Sequence, residues 1–283
     1  MHFPPFHYDI PLYMAPPSTE ALRRQMRIGT LGAIITPASG NALEEGIWWC
    51  ADNAIFGGNY IGDEPYLRWL EKRQRFAPWC LFAVAPDVVG DAYATVSRSY
   101  PMLRRIRELN FPVALVAQDY MEFCPHWEWE NFDALFVGGS TAWKLSPAAA
   151  NLCRVARSIG KHVHMGRVNS LRRYQIASLI HHAHSVDGTG TTRAPDAVLA
   201  DILRWRRAAR TPALDLDPYR HDPWDGAYDL AVPHQQPEPR ANVEPVAERR
   251  PRAKARPMAR SPLPVHAPVQ MRGSALPPPS VQP

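Results

Sequence analysis

Between about residues 27 and 210, short apolar runs alternate with stretches of helical character. Central strands of a parallel sheet read as continuous apolar runs, and helices commonly begin at a capping residue. Seven runs fit such strands: residues 28–37, 48–54, 79–89, 111–118, 134–137, 162–168 and 185–187. Four stretches fit helices: residues 92–110, 147–159, 170–182 and 196–210, with Ser146 and Asp196 as predicted caps of the second and the fourth.

This alternation predicts an α/β fold in which parallel strands are covered by helices. A closed (β/α)8 barrel of the TIM type and an open doubly wound sheet both satisfy the pattern, which does not choose between them. Seven strands are one short of a closed barrel. We expect the eighth strand either at residues 227–232 or near the N-terminus.

The C-terminal part of the chain has a different composition. More than half of the 30 prolines follow residue 211, and from about Gln235 no periodic apolar pattern remains. We therefore expect a folded barrel domain over residues 1–234 and a disordered, proline-rich tail over residues 235–283. The net charge is +5, and six basic residues lie between Arg249 and Arg260. Such a tail can attract a phosphate backbone, and it can equally be a solvated linker or bind a partner protein.

Polar residues or glycines follow six of the predicted strands where each apolar run stops. A single carboxylate in this position is commonly a helix cap or a turn residue. The same feature on six successive strands instead indicates the carboxyl-terminal rim of a barrel, where such folds bind ligands and perform catalysis. The segments are Asp52-Asn53, Asp87, Gln118-Asp119, Gly138-Gly139-Ser140, Gly166-Arg167 and Asp187-Gly188-Thr189.

Carboxylates on such a rim suit the cleavage of an N-glycosidic bond. One carboxylate can attack the sugar carbon and form a covalent intermediate, as in retaining glycosidases. A second carboxylate then manages the proton on the departing and arriving groups. Glycines beside them let backbone groups approach a flat base closely, because glycine has no side chain.

The order of these motifs resembles that of the queuine/guanine tRNA-ribosyltransferase family and of its DNA-modifying 7-deazaguanine transglycosylase relatives in phage and bacterial modification systems. The resemblance covers about residues 28–193. The segment Asp52-Asn53-Ala54-Ile55-Phe56 is similar to the family's Asp-Ser-Gly-Gly-Phe motif. Asp187 follows the Met-Gly strand end by about twenty residues, which is similar to the family's spacing. The resemblance implies a (β/α)-barrel and favours the closed architecture.

The resemblance also implies a pentosyltransferase reaction without a cofactor, in which guanine in a nucleic acid is replaced by a 7-deazaguanine base. Asp187 is the expected nucleophile and Asp52 the expected general acid/base. The other matching residues are expected to bind the base: Phe56 stacks on it, Met165 lies beneath it, and Asn53, Asp87, Gln118, Gly138, Gly139 and Gly166 surround its edge.

Two departures from the family pattern bear on the substrate. Asn53-Ala54-Ile55 replaces Ser-Gly-Gly, so we expect a different loop beside Asp52. The tRNA enzymes hold zinc with three closely spaced cysteines and a histidine after the nucleophile, whereas no cysteine follows Cys153 here. We therefore expect this zinc subdomain to be missing and DNA to be the substrate. A tRNA transglycosylase and an inactive barrel that binds nucleic acid or a partner enzyme are the alternatives.

Four basic residues near strand ends or helix starts are expected to hold phosphates, with a solvated surface charge as the equal alternative. They are Lys144, Arg167, Arg172 and Arg173. The histidines offer a metal alternative, because His162 and His164 share a strand face and zinc accepts two histidines and a carboxylate. We favour a protein without a metal.

The four cysteines lie far apart, which is typical of reduced thiols in a cytoplasm, including a host cytoplasm if a phage encodes the chain. We find neither a secretory signal at the N-terminus nor an apolar run of about 20 residues, so we expect a soluble protein without a membrane partner. The sequence leaves open whether the protein is a homodimer.

Overall fold

The computed structural model describes residues 10–125 and 127–209. The predicted domain boundary near Gln235, the tail and the alternative strand at residues 227–232 lie outside these residues. The strands are β1 (Leu12–Ala15), β2 (Leu31–Ile35), β3 (Trp49–Ala51), β4 (Cys80–Val84), β5 (Val113–Ala117), β6 (Ala134–Val137), β7 (His162–Met165) and β8 (Ser185–Asp187). The α-helices are α1 (Glu20–Arg27), α2 (Asp63–Glu71), α3 (Ala92–Glu108), α4 (Thr141–Lys144), α5 (Pro147–Ser158), α6 (Leu171–Leu179), α7 (Gly190–Arg193) and α8 (Pro195–Ala208), with 3-10 helices at Gln74–Trp79, Met121–Phe123 and Trp129–Asn131.

The eight strands are all parallel and close into a barrel in their sequence order. The predicted (β/α)8 architecture is confirmed, and the open sheet is excluded. Closure is made by β1, which pairs with β2 through Tyr13 and Leu31 and with β8 through Met14 and Asp187. The eighth strand therefore lies near the N-terminus, one of the two places expected for it.

On most strands, alternate residues feed two separate apolar layers, as the period of two in a strand requires. Leu12 and Met14 of β1 point into the barrel and pack there with Phe82 and Val116. Tyr13 points outward into the larger layer between the strands and the helices. Both layers exclude water, so the barrel is a packed core and not a channel.

Helix starts follow the capping residues in most places. Ser146 accepts a hydrogen bond from the Ala149 N–H at 3.3 Å and begins α5, as predicted. The predicted cap Asp196 is wrong, because α8 begins one residue earlier and Ala194 occupies the cap position. The Asp196 carboxylate instead accepts a hydrogen bond from the Thr19 hydroxyl at 3.2 Å.

Several strands are shorter than predicted because the chain leaves the barrel as soon as a rim loop begins. The run at residues 79–89 contributes only Cys80–Val84, and the rest forms the loop that carries Asp87. Helices α1 and α2 were not predicted. Within the described residues, no helix combines the length and the apolar character needed to cross a bilayer.

Substitution of Gly188 should destabilise the barrel where β8 ends. A Cβ atom there would lie 2.5 Å from Asn169 Oδ1 and 2.7 Å from the Val168 carbonyl oxygen, and would overlap the Tyr13 hydroxyl. We expect Gly188→Ala to lower the free energy of unfolding by about 1–3 kcal/mol in urea denaturation. Gly57→Ala is the control, because its new Cβ would lie 3.3 Å from the flexible Asn59 side chain and 3.8 Å from the Ala54 carbonyl oxygen, an ordinary contact. Equal losses in the two variants would contradict the packing argument.

Candidate active site

A pocket opens at the carboxyl-terminal rim of the barrel, where the polar segments of six strands meet. The space inside it, including the open solvent at its mouth, is about 620 Å³. Val84, Val116 and Phe136 form its apolar wall. Ten of the predicted site residues line it: Asp52, Asn53, Phe56, Asp87, Gln118, Gly138, Gly139, Gly166, Arg167 and Asp187.

Asp187, the last residue of β8, is held at both carboxylate oxygens. Its Oδ1 accepts a hydrogen bond from the Arg167 backbone N–H at 2.9 Å, and its Oδ2 lies 3.1 Å from His164 Nε2. Burial by itself would raise the pKa of Asp187. The hydrogen bond from His164, the Arg167 N–H and the charge of Lys144 outweigh burial and lower that pKa below its usual range. Asp187 is therefore an ionised carboxylate at neutral pH, as a nucleophile must be.

Asp52 follows β3 and has the opposite electrostatic character. Burial raises its pKa to about 7, the Ala54 N–H opposes this shift, and the negative charges of Asp187 and Asp87 reinforce it. Its Oδ1 accepts a hydrogen bond from the Ala54 N–H at 2.6 Å. Near neutral pH this carboxyl group can both hold and release a proton. Two carboxyl groups whose pKa values are pushed apart in one pocket are typical of an acid/base and nucleophile pair.

The loop after Asp52 is built from two side chains that bond to the backbone two residues further on. Asp52 bonds to the Ala54 N–H, and Asn53 Oδ1 accepts a hydrogen bond from the Ile55 N–H at 2.8 Å. Ala54 has a φ of 64°, which places a residue with a Cβ atom in the left-handed region. This conformation costs about 1–2 kcal/mol for a residue other than glycine.

Asp87, in the loop after β4, is the centre of a hydrogen-bonded group that includes Asn53. Its Oδ1 accepts from Asn53 Nδ2 at 3.0 Å and its Oδ2 accepts from Gln118 Nε2 at 2.7 Å. Gln118 Oε1 in turn accepts from the backbone N–H groups of Gly90 and Gly139, at 3.0 and 3.1 Å. The two backbone donors fix the orientation of the Gln118 amide, so its NH2 group points to Asp87. Burial raises the pKa of Asp87, while the hydrogen bonds from Asn53 and Gln118 oppose that rise.

Two glycines that line the pocket have no space for a side chain. A Cβ atom at Gly138 would lie 2.7 Å from Val116 and 3.3 Å from Gln118 Nε2. A Cβ atom at Gly166 would lie 2.8 Å from the Phe136 ring. Packing against the pocket's own side chains therefore requires glycine at both positions.

Phe56 and Arg167 lie together at the pocket. The Arg167 guanidinium is 4.4 Å from the centroid of the Phe56 ring and donates a hydrogen bond to the Gly139 carbonyl oxygen. Arg167 thus covers one face of the Phe56 ring, and the expected stacking of Phe56 on a base stays a prediction. Arg167 lines the pocket, and its expected phosphate contact stays a prediction, as does that of the partly buried Arg172.

Three expectations are wrong. Met165 does not lie at the pocket: it is fully buried among the residues between strands and helices, because the neighbouring His164 takes the inward position of β7. Lys144 and Arg173 are buried too, which removes them from any phosphate. Lys144 Nζ donates to the Gly166 carbonyl at 3.0 Å and Arg173 donates to the Arg167 carbonyl at 3.1 Å. These two cations hold the loop whose N–H binds Asp187.

Sequence reasoning missed the importance of His164 for Asp187. The signal was present, since His162 and His164 alternate along one strand face, but we interpreted the spacing as an alternative zinc site. In the described part of the chain, no three histidine, cysteine or acidic side chains are arranged to hold a metal ion. Thr189 was also missed as a lining residue; its backbone N–H donates to Asn169 Oδ1 at 2.9 Å.

No protein-family model matches the chain, and no curated protein matches it. Fold and site together define a (β/α)8 barrel with a rim pocket that joins an ionised carboxylate, a carboxyl group that titrates near neutrality and a fixed carboxylate–amide pair.

The raised pKa of Asp52 should make stability depend on pH. A carboxyl group with a pKa of about 7 in the folded state and about 3.9 in the unfolded state binds more protons when folded, so stability falls as pH rises between these values. As pH rises through that range, the free energy of unfolding of Asp52→Asn should increase progressively relative to that of the wild type. The difference should persist at higher pH. Urea denaturation at several pH values measures this.

Asp201→Asn is the control, because the Asp201 side chain lies on the outer surface of α8 with 42% exposure. If Asp52→Asn and the wild type show the same pH dependence, the assigned protonation of Asp52 is wrong.

Proposed function

We propose that the protein is a transglycosylase that replaces guanine in DNA with a 7-deazaguanine derivative through a covalent aspartyl–sugar intermediate. The observation that carries the proposal is the shared pocket of Asp187 and Asp52, whose pKa values are shifted in opposite directions. One carboxylate is ready to attack, and the other can carry the proton.

In the first half of the reaction, an Asp187 carboxylate oxygen attacks the sugar C1′. The bond from C1′ to the base N9 breaks, its electron pair goes to the base, and Asp52 supplies a proton to the departing guanine. In the second half, the Asp52 carboxylate takes the N9 proton of the incoming base. That base attacks C1′, the ester bond breaks, and Asp187 is released as a carboxylate. Protons and electron pairs balance, so no cofactor is needed.

The carboxylate–amide pair supports a guanine-like base. Asp87 offers acceptor oxygens and Gln118 has a second amide N–H to donate. Guanine presents donors at N1 and its 2-amino group, which match the Asp87 acceptors, and an acceptor at O6, which matches the Gln118 donor. Adenine presents a donor in place of O6 and an acceptor at N1, so each contact would be mismatched. A site that leaves buried polar groups unpaired rejects the wrong ligand strongly.

The apolar wall supports exchange over hydrolysis. Val84, Val116 and Phe136 line the pocket beside the carboxylates and exclude water from the covalent intermediate once a base fills the space. The target nucleotide must leave the base stack to reach this depth. DNA is proposed as the polymer because the resemblance associates tRNA with a cysteine zinc site, and no cysteine follows Cys153 in this sequence.

The exchange assay uses a guanine-containing DNA oligonucleotide, an unmodified tRNA and a labelled 7-deazaguanine. We expect label in the DNA with the wild type, and a loss of at least about 10³-fold with Asp187→Asn and with Asp52→Asn. Asp91→Asn is the matched control, because Asp91 is a carboxylate of the same rim that caps α3 through the Ala94 N–H at 2.9 Å, and asparagine caps equally well.

Label in the tRNA alone would show that tRNA, and not DNA, is the substrate. No label in either polymer, with a folded wild type, would contradict base exchange.

Base recognition can be tested apart from chemistry by calorimetry with free 7-deazaguanine. We expect Asp87→Asn to weaken binding at least about 100-fold, because it replaces an acceptor oxygen with a donor and leaves buried groups mismatched. Asp187→Asn should bind the base nearly as well as the wild type, because Asp187 faces the sugar. Equal binding by wild type and Asp87→Asn would show that Asp87 does not read the base.

A further inference from the structure

A line of polar side chains runs through the barrel interior to Asp187. His162 and His164 are the inward residues of β7, and Ser185 and Asp187 are the inward residues of β8. His162 Nε2 lies 2.7 Å from Ser185 Oγ, Ser185 Oγ lies 2.8 Å from His164 Nδ1, and His164 Nε2 lies 3.1 Å from Asp187 Oδ2. The exposed fractions of His162, His164 and Ser185 are 4%, 0% and 0%.

The surroundings of this line are aromatic. The His164 ring centroid lies 4.5 Å from that of Phe136 and 5.0 Å from that of Phe82. The His162 ring stacks on His184 at 4.8 Å. Polar groups buried in such a place must satisfy one another, because an unsatisfied group costs about 1–3 kcal/mol. The line is therefore an organised feature and not an incidental contact.

Because the Ser185 hydroxyl has one proton, the hydrogen bonds of the line can run in either of two donor-to-acceptor directions. A neutral His164 that donates Nε2–H to Asp187 must accept at Nδ1 from the Ser185 hydroxyl, whose oxygen then accepts from His162 Nε2–H. All three hydrogen bonds then point toward Asp187. A doubly protonated His164 would instead donate to both Asp187 and Ser185, and Ser185 would donate to His162.

The neighbouring charges favour the first direction. Lys144 already supplies a positive charge close to Asp187, since it binds the Gly166 carbonyl beside the Arg167 N–H that holds the carboxylate. Asp187 would attract a positive charge on His164, but Lys144 would repel it, and its full burial beside the Phe82 and Phe136 rings would make an added ion costly. Neutral histidines joined by one hydroxyl make all three hydrogen bonds of the line without an added charge.

We infer that His164 is a positioning residue that holds Asp187 ionised and aimed, and that Ser185 and His162 fix the His164 tautomer that does so. The role of Asp187 as nucleophile rests on the proposed function, whereas the hydrogen-bonded line itself does not. The two donors, His164 Nε2–H and Arg167 N–H, also stabilise the carboxylate that departs when the sugar ester breaks.

NMR on the protein without substrate tests the inference directly. In the wild type, ¹⁵N shifts should show His164 protonated at Nε2 alone at neutral pH, and Ser185→Ala should mix its tautomers. The Asp187 pKa, followed by its ¹³C carboxyl shift, should rise in His164→Phe. It should stay low in His164→Gln, which retains an N–H donor.

The titration of Asp187 is influenced by the titratable and hydrogen-bonding groups around it, which are those of Tyr13, Cys50, Asp52, Lys144, His164 and Arg167.

Exchange kinetics provide the second measurement. His164→Phe should lower the exchange rate about 10²-fold, the size expected for one lost donor to a developing charge. It should also move the acidic limb of the pH–rate profile to higher pH. His164→Gln should restore both the exchange rate and the position of the acidic limb. Ser185→Ala removes a single oxygen and stays informative if the larger substitutions fail to fold.

A doubly protonated His164 in the wild type, or an Asp187 pKa unchanged in His164→Phe, would overturn the inference. An inactive wild type with the expected NMR pattern would instead overturn the proposed function and leave the hydrogen-bonded line intact.

Discussion

Barrel closure between β1 and β8 is the constraint on which the site depends. β8 has only three residues, and it is held between β1 and β7, with Met14 opposite Asp187 in the register. Because every strand is parallel, closure brings the carboxyl ends of β3, β4 and β8 to one rim, and with them Asp52, Asp87 and Asp187. Residues far apart in the chain thus share a pocket that none of the local segments could build alone.

Within this pocket, hydrogen bonds rather than residue type decide what each carboxylate does. Asp187 receives donors at both oxygens and has Lys144 nearby, so it stays ionised in spite of its burial. Asp52 has one backbone donor and two negative neighbours, so burial dominates and its proton is held to near neutrality. Under the proposed function, the same residue type therefore serves as nucleophile and as proton carrier, because the backbone and charged groups around the two carboxylates differ.

The parallel strands and most rim positions followed from apolar runs and the polar residues that end them, because these are local patterns. The closed barrel was favoured over an open sheet only by the family resemblance. β1 was harder to recognise, since four residues between prolines are shorter than a typical run. The buried positions of Lys144, Arg173 and Met165 were not predicted, for a different reason. Whether a cation is solvated or bonded to a buried carbonyl depends on contacts with distant segments, and one-residue alternation on β7 decides which side chain faces the pocket. The role of His164 likewise needed the register of β7 against β8.

The central claim is that Asp187 forms a covalent bond to the sugar. The most direct measurement is peptide mapping by mass spectrometry after the protein is incubated with guanine-containing DNA, denatured and digested with protease and nuclease. The account predicts a deoxyribose-bearing adduct on the peptide that contains Asp187, which disappears when excess guanine is added before denaturation. An adduct on another residue, or guanine release from the DNA without any protein adduct, would contradict it.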